Sequence, residues 1–447
     1  MVVQRASLND LTELATETPT APMQIAAILR LEWAIPCSLV REALAQRLVR
    51  VPRLRQRLLP TPVGLGRPLW VDDDGFNFDR HVEEQVCANP SSEATALQVA
   101  ASAAVDPLPR GRPLWRVTLI MDDAGGCHAL VLVVHHVLAD GIGGLAALTE
   151  LVDVEPAEIS TAVPPVPFPT PAPSRGLLLR DVTASRLHSL RSLPAAAKKL
   201  PVALAELGGG RRQKHAHDRK PVRCSINRPI GRRRQLAVAR VDLSDAAATA
   251  HRHSATINDV LLAAVAGALD ATIRARGESA DRLVISVPVS ARRAATTAQL
   301  GNQVGVTPVV VRASSDPTAR LRSIAGVTRS GGHSDGRGSS AAVLGPAFRL
   351  LARIGVFGWF INHQHLVNTF LTNMRGPMDP LFILDRRISD IIAISPIAGN
   401  VTVAFAALSY AGRLTIAVIA DPETCPDIDD LADALQHQLD DLTSAIE

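Results

Sequence analysis

Two adjacent histidines, His135 and His136, with Asp140-Gly141 close behind them, are the residues of this chain best suited to chemistry. An imidazole takes and returns a proton near neutral pH. A neighbouring carboxylate can fix the ring or the turn that carries it, so the group suits general-base work on a weak nucleophile such as a hydroxyl. Two other readings stand beside that one: a satisfied structural pair, or two of three ligands to a metal. The metal reading lacks a second ligand cluster. The element that must position the pair is the run from Leu130 to Val134, wholly apolar, mostly β-branched, and of the length of a strand buried on both faces. Side chains alternate faces along a strand, so if it persists to its end His135 and His136 point opposite ways and only one faces a given cleft. Asp140-Gly141 then turns the chain, Gly143-Gly144 permits close approach, and a helix begins at Leu145.

The strand needs a neighbour, and Trp115–Met121 supplies it, joined to His128–Val134 through Asp122-Asp123-Ala124-Gly125-Gly126, the composition of a hairpin turn. Upstream, Met23–Glu32 reads as a strand. Ser38 is placed to cap a helix to about Arg50, with Val40, Leu44 and Leu48 on one side. Short strands are expected around Trp70 and over Phe78–Val82. From Glu155 to Gly176 the composition turns Pro-rich, which neither a helix nor a central strand tolerates, and marks a crossover. The apolar stretch Leu177–Leu207 and the basic run Arg211–Lys214 with Arg219 and Lys220 follow. They read as an interfacial or phosphate-anchoring element, or as a packed helix and a solvated loop, and the interruptions at Pro194 and Pro201 favour the second.

In the second half Val238–Leu243 reads as a strand, Ser244 as the cap of an alanine-rich helix, and Thr256 as the start of a helix through Asn258 and Asp259 to Arg276, closed by Gly277. Strands are expected over Leu283–Val289 and Val304–Val311, a loop over Gly331–Ser340, a hairpin over Val401–Leu408 and Arg413–Ala420, and a last amphipathic helix from Ile428 to about Ile446. Ala341–Phe370 reads as an apolar helical region bent at Gly355 and Gly358, lining a lipid tunnel or forming core. The chain thus divides into an N-terminal half at 1–154, a Pro-rich and basic crossover at 155–235, and a C-terminal half at 236–447.

The 447 residues, 47% hydrophobic, suffice for two domains with large cores. Aromatics at 3% make those cores aliphatic and leave little to stack on bases, so nucleic acid is excluded as a partner. The net charge of +4 favours anionic partners, a phosphate-rich co-substrate or an acidic membrane surface, while Arg232-Arg233-Arg234 reads as a solvated charge run. Cys37, Cys87, Cys127, Cys224 and Cys425 are far apart and form no CxxC pair, which fits a reducing cytosol rather than a disulfide framework or zinc module. Met1–Asp10 lacks the apolar core of a secretory signal, and Ala341–Phe360 is too interrupted by Pro346, Arg349 and Arg353 to span a membrane. The expectation is a cytoplasmic protein with, at most, peripheral membrane or lipid-droplet contact.

His135-His136-Val137-Leu138-Ala139-Asp140-Gly141 matches the HHxxxDG motif of the acyltransferase superfamily that includes condensation domains, carnitine and chloramphenicol acyltransferases, and bacterial wax ester synthase/diacylglycerol acyltransferases. Pro113-Leu114-Trp115 resembles the PLW motif of the last group, and it directly precedes the hairpin, unlike a second such string at Pro68-Leu69-Trp70. Asn258-Asp259 resembles its ND motif, Ser286–Arg292 and Gly301-Asn302 its VPxSxR and GN segments, and Thr372–Pro377 approximates its S/T-N-x-x-G-P segment. These occur in the family's order over most of the chain. The resemblance implies an α/β (α+β) fold of two chloramphenicol-acetyltransferase-like halves, mixed sheets flanked by helices, with an active-site tunnel between them. It implies acyl transfer from acyl-CoA, a co-substrate, to a lipid hydroxyl, with no permanent cofactor and no metal, and so the esterification of diacylglycerol to triacylglycerol.

By the same resemblance His136 is the general base and His135 supports it. Asp140, followed by Gly141, holds the loop through an ion pair with Arg292, and Pro113 and Trp115 support the site. Asn258 either lies near the reaction centre, as an oxyanion donor, or caps its helix together with Asp259. Three other functions remain compatible with the motifs: wax ester synthesis on a long-chain alcohol, a carrier-dependent condensation-type transfer, and a catalytically idle lipid binder.

Overall fold

The computed structural model describes residues 3–62, 64–156, 168–184, 221–290, 304–331 and 348–444. Arg292, Gly301-Asn302, the Gly/Ser-rich stretch after Gly331, and most of the Pro-rich and basic crossover lie outside them.

The strands in chain order are β1 (Gln24–Pro36), β2 (Gln56–Leu59), β3 (Leu69–Asp72), β4 (Val82–Val86), β5 (Trp115–Met121), β6 (Gly126–His135), β7 (Gln235–Asp242), β8 (Arg282–Ser290), β9 (Val304–Arg312), β10 (Thr369–Arg375), β11 (Phe382–Ile383), β12 (Arg386–Ile394), β13 (Val403–Tyr410) and β14 (Arg413–Ala420). Among the described residues they build a six-stranded sheet of order β11-β12-β1-β6-β5-β4, a second of order β7-β14-β13-β10-β8-β9, and the two-stranded pair β2-β3. Both large sheets are mixed: β4 runs parallel to β5, and β10 parallel to β8 and β13, while their other pairings are antiparallel.

The apolar run before the histidines is a central strand, as its composition requires. β6 pairs antiparallel with β1 on one side and β5 on the other, and every residue from Ala129 to Val134 is buried. The second sheet buries one face against the helices Ile257–Ala275 and Ile428–Ser444, whose Leu261, Leu269, Leu435 and Leu439 pack with Phe405 and Ile416 of the sheet.

β12 comes from late in the chain yet lies in the first sheet, pairing with β1 over Ala26↔Ile394 to Leu31↔Ile388, and the next strand, β13, lies in the second. Four charged residues tie the sheets together where this exchange occurs. Arg240 of β7 binds Asp390 of β12 at 2.7 Å and pairs with Glu93 of the helix Glu93–Val105, which also takes Arg30 of β1 at 3.0 Å.

Several local expectations are corrected. Ser38 does not cap: β1 runs straight into the helix Cys37–Arg47 with Pro36 at the cap position. Likewise Asp242, the last residue of β7, stands at the cap position of the helix Leu243–Arg252 in place of Ser244. Phe78–Arg80 is a 3-10 turn ahead of β4. The helical region expected up to Phe370 ends at Asn362, and Phe370 belongs to β10. Gly355 does bend it, with φ +75, and Gly277 takes φ +75 just after the helix that Thr256 caps.

Candidate active site

β6 ends at His135, and the two histidines part there as the strand period demands. The His135 ring is 1% exposed, and its Nδ1 accepts the Val137 N–H at 3.0 Å. An accepting Nδ1 carries no hydrogen, so the neutral ring bears its proton on Nε2. Burial, and next the positive charge of Arg110, pushes its pKa down to about 3. Glu17 Oε2 lies 3.6 Å from Nε2 and pairs with Arg110. In this tautomer the neutral His135 ring has no acceptor left for a substrate proton.

His136 is half-buried and lines a cavity of about 390 Å³, within the roughly 300–1,000 Å³ range of small-molecule sites. Its backbone is pinned from the neighbouring strand's approach, His136 N–H donating to the Met23 carbonyl at 2.7 Å, while His135 N–H donates to the Leu114 carbonyl at 2.9 Å. The second bond ties the Pro113-Leu114-Trp115 string to the end of β6. Trp115 is buried, donates Nε1–H to the Leu54 carbonyl at 2.6 Å, and stacks on His81 at 4.5 Å.

Asp140 is fully buried and caps a helix, Oδ1 accepting the Gly143 N–H at 2.8 Å. The helix Gly141–Leu151 thus starts four residues before the expected Leu145, because this cap satisfies its first turn. Its glycines serve close packing: a Cβ at Gly141 would lie 2.6 Å from Met374 Sδ, and one at Gly144 would lie 3.1 Å from Ile25 Cδ1. Gly141, Gly144, Leu145 and Leu148 line the cavity, so the positive end of this helix abuts the space His136 faces.

The cavity lies between the two sheets. β1, β6 and β12 supply Ile25, Leu132, Val134, Ile391 and Ala393, and β10 and β13 supply Phe370, Thr372, Met374, Ala406 and Leu408. The wall is apolar apart from a few side chains, among them Asn9, Thr12, Glu13, Thr16, His136, Thr372 and Ser395. The Ser395 hydroxyl is buried with no hydrogen-bond partner among the described residues.

Asn258 sits half-buried in the first turn of the helix Ile257–Ala275 and is not on the cavity wall. Asp259 forms a capping box with Thr256 and accepts Thr328 Oγ1–H at 2.9 Å. The proposed partner of Asp140, Arg292, lies outside the described residues. Among those residues no group of three or more His, Cys, Asp or Glu is placed to hold a metal.

Sequence reasoning missed three contributors to the wall. The helix Leu8–Thr16 lies in what reads as a polar start, although Ser7 and Asp10 form a capping box there. Met374 and Thr372 were noted only within a motif. β12 was not read as a strand, although Ile388, Ile391, Ile392 and Ile394 carry a β-branched signal.

A family model described as wax ester synthase/diacylglycerol acyltransferase catalytic domain matches residues 7–261, and one described as WS/DGAT C-terminal domain matches residues 300–443. A putative diacylglycerol O-acyltransferase of Mycobacterium tuberculosis is 28% identical over 98% of this chain and 90% of its own. A probable diacylglycerol O-acyltransferase of the same organism is 31% identical over 88% and 85%. Among solved structures, a wax ester synthase/diacylglycerol acyltransferase from Marinobacter aquaeolei VT8 matches with a TM-score of 0.66 at 21% identity, covering 99% of both chains. A mutant starter condensation domain of rhizomide synthetase, in complex with C8-CoA and Leu-SNAC, matches with a TM-score of 0.61 at 16% identity, covering 99% of this chain and 94% of that one. These two likenesses establish the paired-sheet fold.

Proposed function

The chain belongs to the wax ester synthase/diacylglycerol acyltransferase family, and from that membership we propose that it moves the acyl group of an acyl-CoA to the free hydroxyl of diacylglycerol, with His136 as general base. One observation carries the reading: of the two histidines at the end of β6, His135 is buried off the cavity with its Nδ1 taken by the Val137 N–H, and His136 lines an apolar cavity between the sheets. The apolar wall suits acyl chains, and the names of the relatives support the acceptor.

In this scheme the acceptor hydroxyl loses its proton to His136 as its oxygen attacks the thioester carbonyl. A free hydroxyl is too weak a nucleophile at neutral pH, and such assistance supplies about 10²–10⁴-fold. The tetrahedral oxyanion collapses, the C–S bond breaks, and the departing thiolate takes a proton from the imidazolium or from water. Backbone N–H groups at the start of the helix Gly141–Leu151 are our candidates to stabilise the oxyanion, and Asp140 keeps that turn in place.

The test is thiol release from palmitoyl-CoA with diacylglycerol, with a long-chain alcohol, or with neither, lipid products being separated. Triacylglycerol formed by the wild type and lost by about 10²-fold or more in His136→Ala is the expected result. Preference for the alcohol moves the reading to wax ester synthesis. A His136→Ala variant that folds and keeps most of its activity removes the general base from this position.

A further inference from the structure

We propose that the bent helical segment 348–362, with Leu8 beside it, is a docking surface for an anionic lipid bilayer, so that one element both walls the cavity and rests on the membrane. The inference rests on the proposed function in one respect, that the acceptor is a membrane lipid. Inward, Phe348, Phe357 and Ile361 line the cavity. Outward, Leu350 is 60% exposed, Ile354 60% and Trp359 65%. Arg349 Nη1–H donates to the Leu8 carbonyl at 2.9 Å and to Thr12 Oγ1 at 3.0 Å, which sets the segment against the helix Leu8–Thr16. That helix repeats the pattern, with Asn9, Thr12 and Glu13 on the cavity and Leu8 55% exposed.

The bend is built rather than frayed. Gly355, at φ +75, donates to the Ala352 carbonyl at 3.1 Å, and Val356 to the Leu351 carbonyl at 2.9 Å, the paired bonds of a Schellman stop. The rings of Phe348, Phe357 and Phe360 then pack across it, with centroids 5.7–6.4 Å apart. With nine phenylalanines, four tryptophans and one tyrosine in the whole chain, those three rings and Trp359 all fall in this one bend.

Charge selects the occupant. The segment 348–362 carries Arg349 and Arg353 and no Asp or Glu, and of the two acids on the adjoining helix Asp10 is buried in its own cap and Glu13 lines the cavity. Exposed aliphatic side chains and an interfacial tryptophan beside arginines, with no acid among them, fit the headgroup layer of an anionic bilayer.

The test is flotation of the full chain with vesicles of phosphatidylcholine and phosphatidylglycerol, and with phosphatidylcholine alone, beside sedimentation velocity without lipid. The wild type is expected to float, more with the anionic vesicles. Ile354→Ser with Trp359→Ser should lower partitioning about tenfold or more, and Arg353→Glu several-fold in anionic vesicles. Neither Ile354 nor Trp359 lies on the cavity wall, so turnover of detergent-dispersed diacylglycerol should be unchanged in the double variant while turnover of vesicle-borne diacylglycerol falls with binding. A wild type that stays off both vesicles, or a double variant that floats as well as the wild type, overturns the proposal. So does a double variant that merely turns a dimer into a monomer, since the face then meets a second copy. Flotation needs no catalysis, so an inactive chain that floats would sink the proposed function and leave this surface standing.

Discussion

A buried histidine that cannot take up a proton makes folding sensitive to acid. His135 has a folded pKa of about 3, below its ordinary 6.5, so the unfolded chain binds the proton first. Its contribution is complete above about 6.5 and is lost, at up to roughly 1.4 kcal/mol per pH unit, as pH falls toward 3. The denaturation midpoint of the wild type should therefore fall more steeply from about pH 6 to 4 than that of His135→Asn, whose amide oxygen can still accept the Val137 N–H. Parallel slopes would show that His135 is not the titrating group. Ser395 offers the opposite case, an orphaned hydroxyl on the cavity wall. Ser395→Ala should leave melting unchanged or higher and, if the hydroxyl meets the acceptor, raise the acceptor KM several-fold; an unchanged KM would deny it that role. The opposed histidines were legible because a strand has a period of two. Glu17, Arg110 and Ser395 were not, because they meet β6 and the cavity through long-range packing and carry no local pattern.

Two glycines fix how elements approach the site. A Cβ at Gly376 would lie 2.3 Å from the Ser409 carbonyl oxygen, a backbone atom that cannot swing aside. Gly376→Ala should separate β10 from β13, costing about 2 kcal/mol or more and lowering activity with it, since β10 carries Thr372 and Met374. A melting temperature within a degree of wild type would refute this contact. At Gly141 the neighbour is the end of a flexible methionine, so Gly141→Ala should fold normally and lose space beside His136. Met374→Ala, added to it, should restore turnover; a double variant no better than the single would place the defect elsewhere. Element types followed from apolar period and caps, as in the Thr256–Asp259 box. The starts of the helices at Cys37 and Leu243 did not, because strands run directly into them and no polar cap marks the change.

At the scale of the whole molecule, β12 closes over β1 and supplies Ile391, Ala393 and Ile394 to the cavity, so the first sheet draws on both sides of the crossover. Residues 1–235 expressed alone should be insoluble or protease-sensitive, and co-expression with 236–447 should recover a soluble complex. A soluble, cooperative 1–235 fragment would show that the exchanged strand is dispensable. Local periodicity identifies a strand but not its partner: every strand of the second sheet follows residue 234, as a division in chain order at 236 would have it, but β11 and β12 return to the first sheet and no local pattern marks that exchange. The same exchange sets a clock on synthesis. At about 5–20 residues per second, a ribosome that has finished the histidine strand needs on the order of tens of seconds to reach β12. Throughout that interval the apolar edge of β1 is bare, and a nascent-chain chaperone has its opening there.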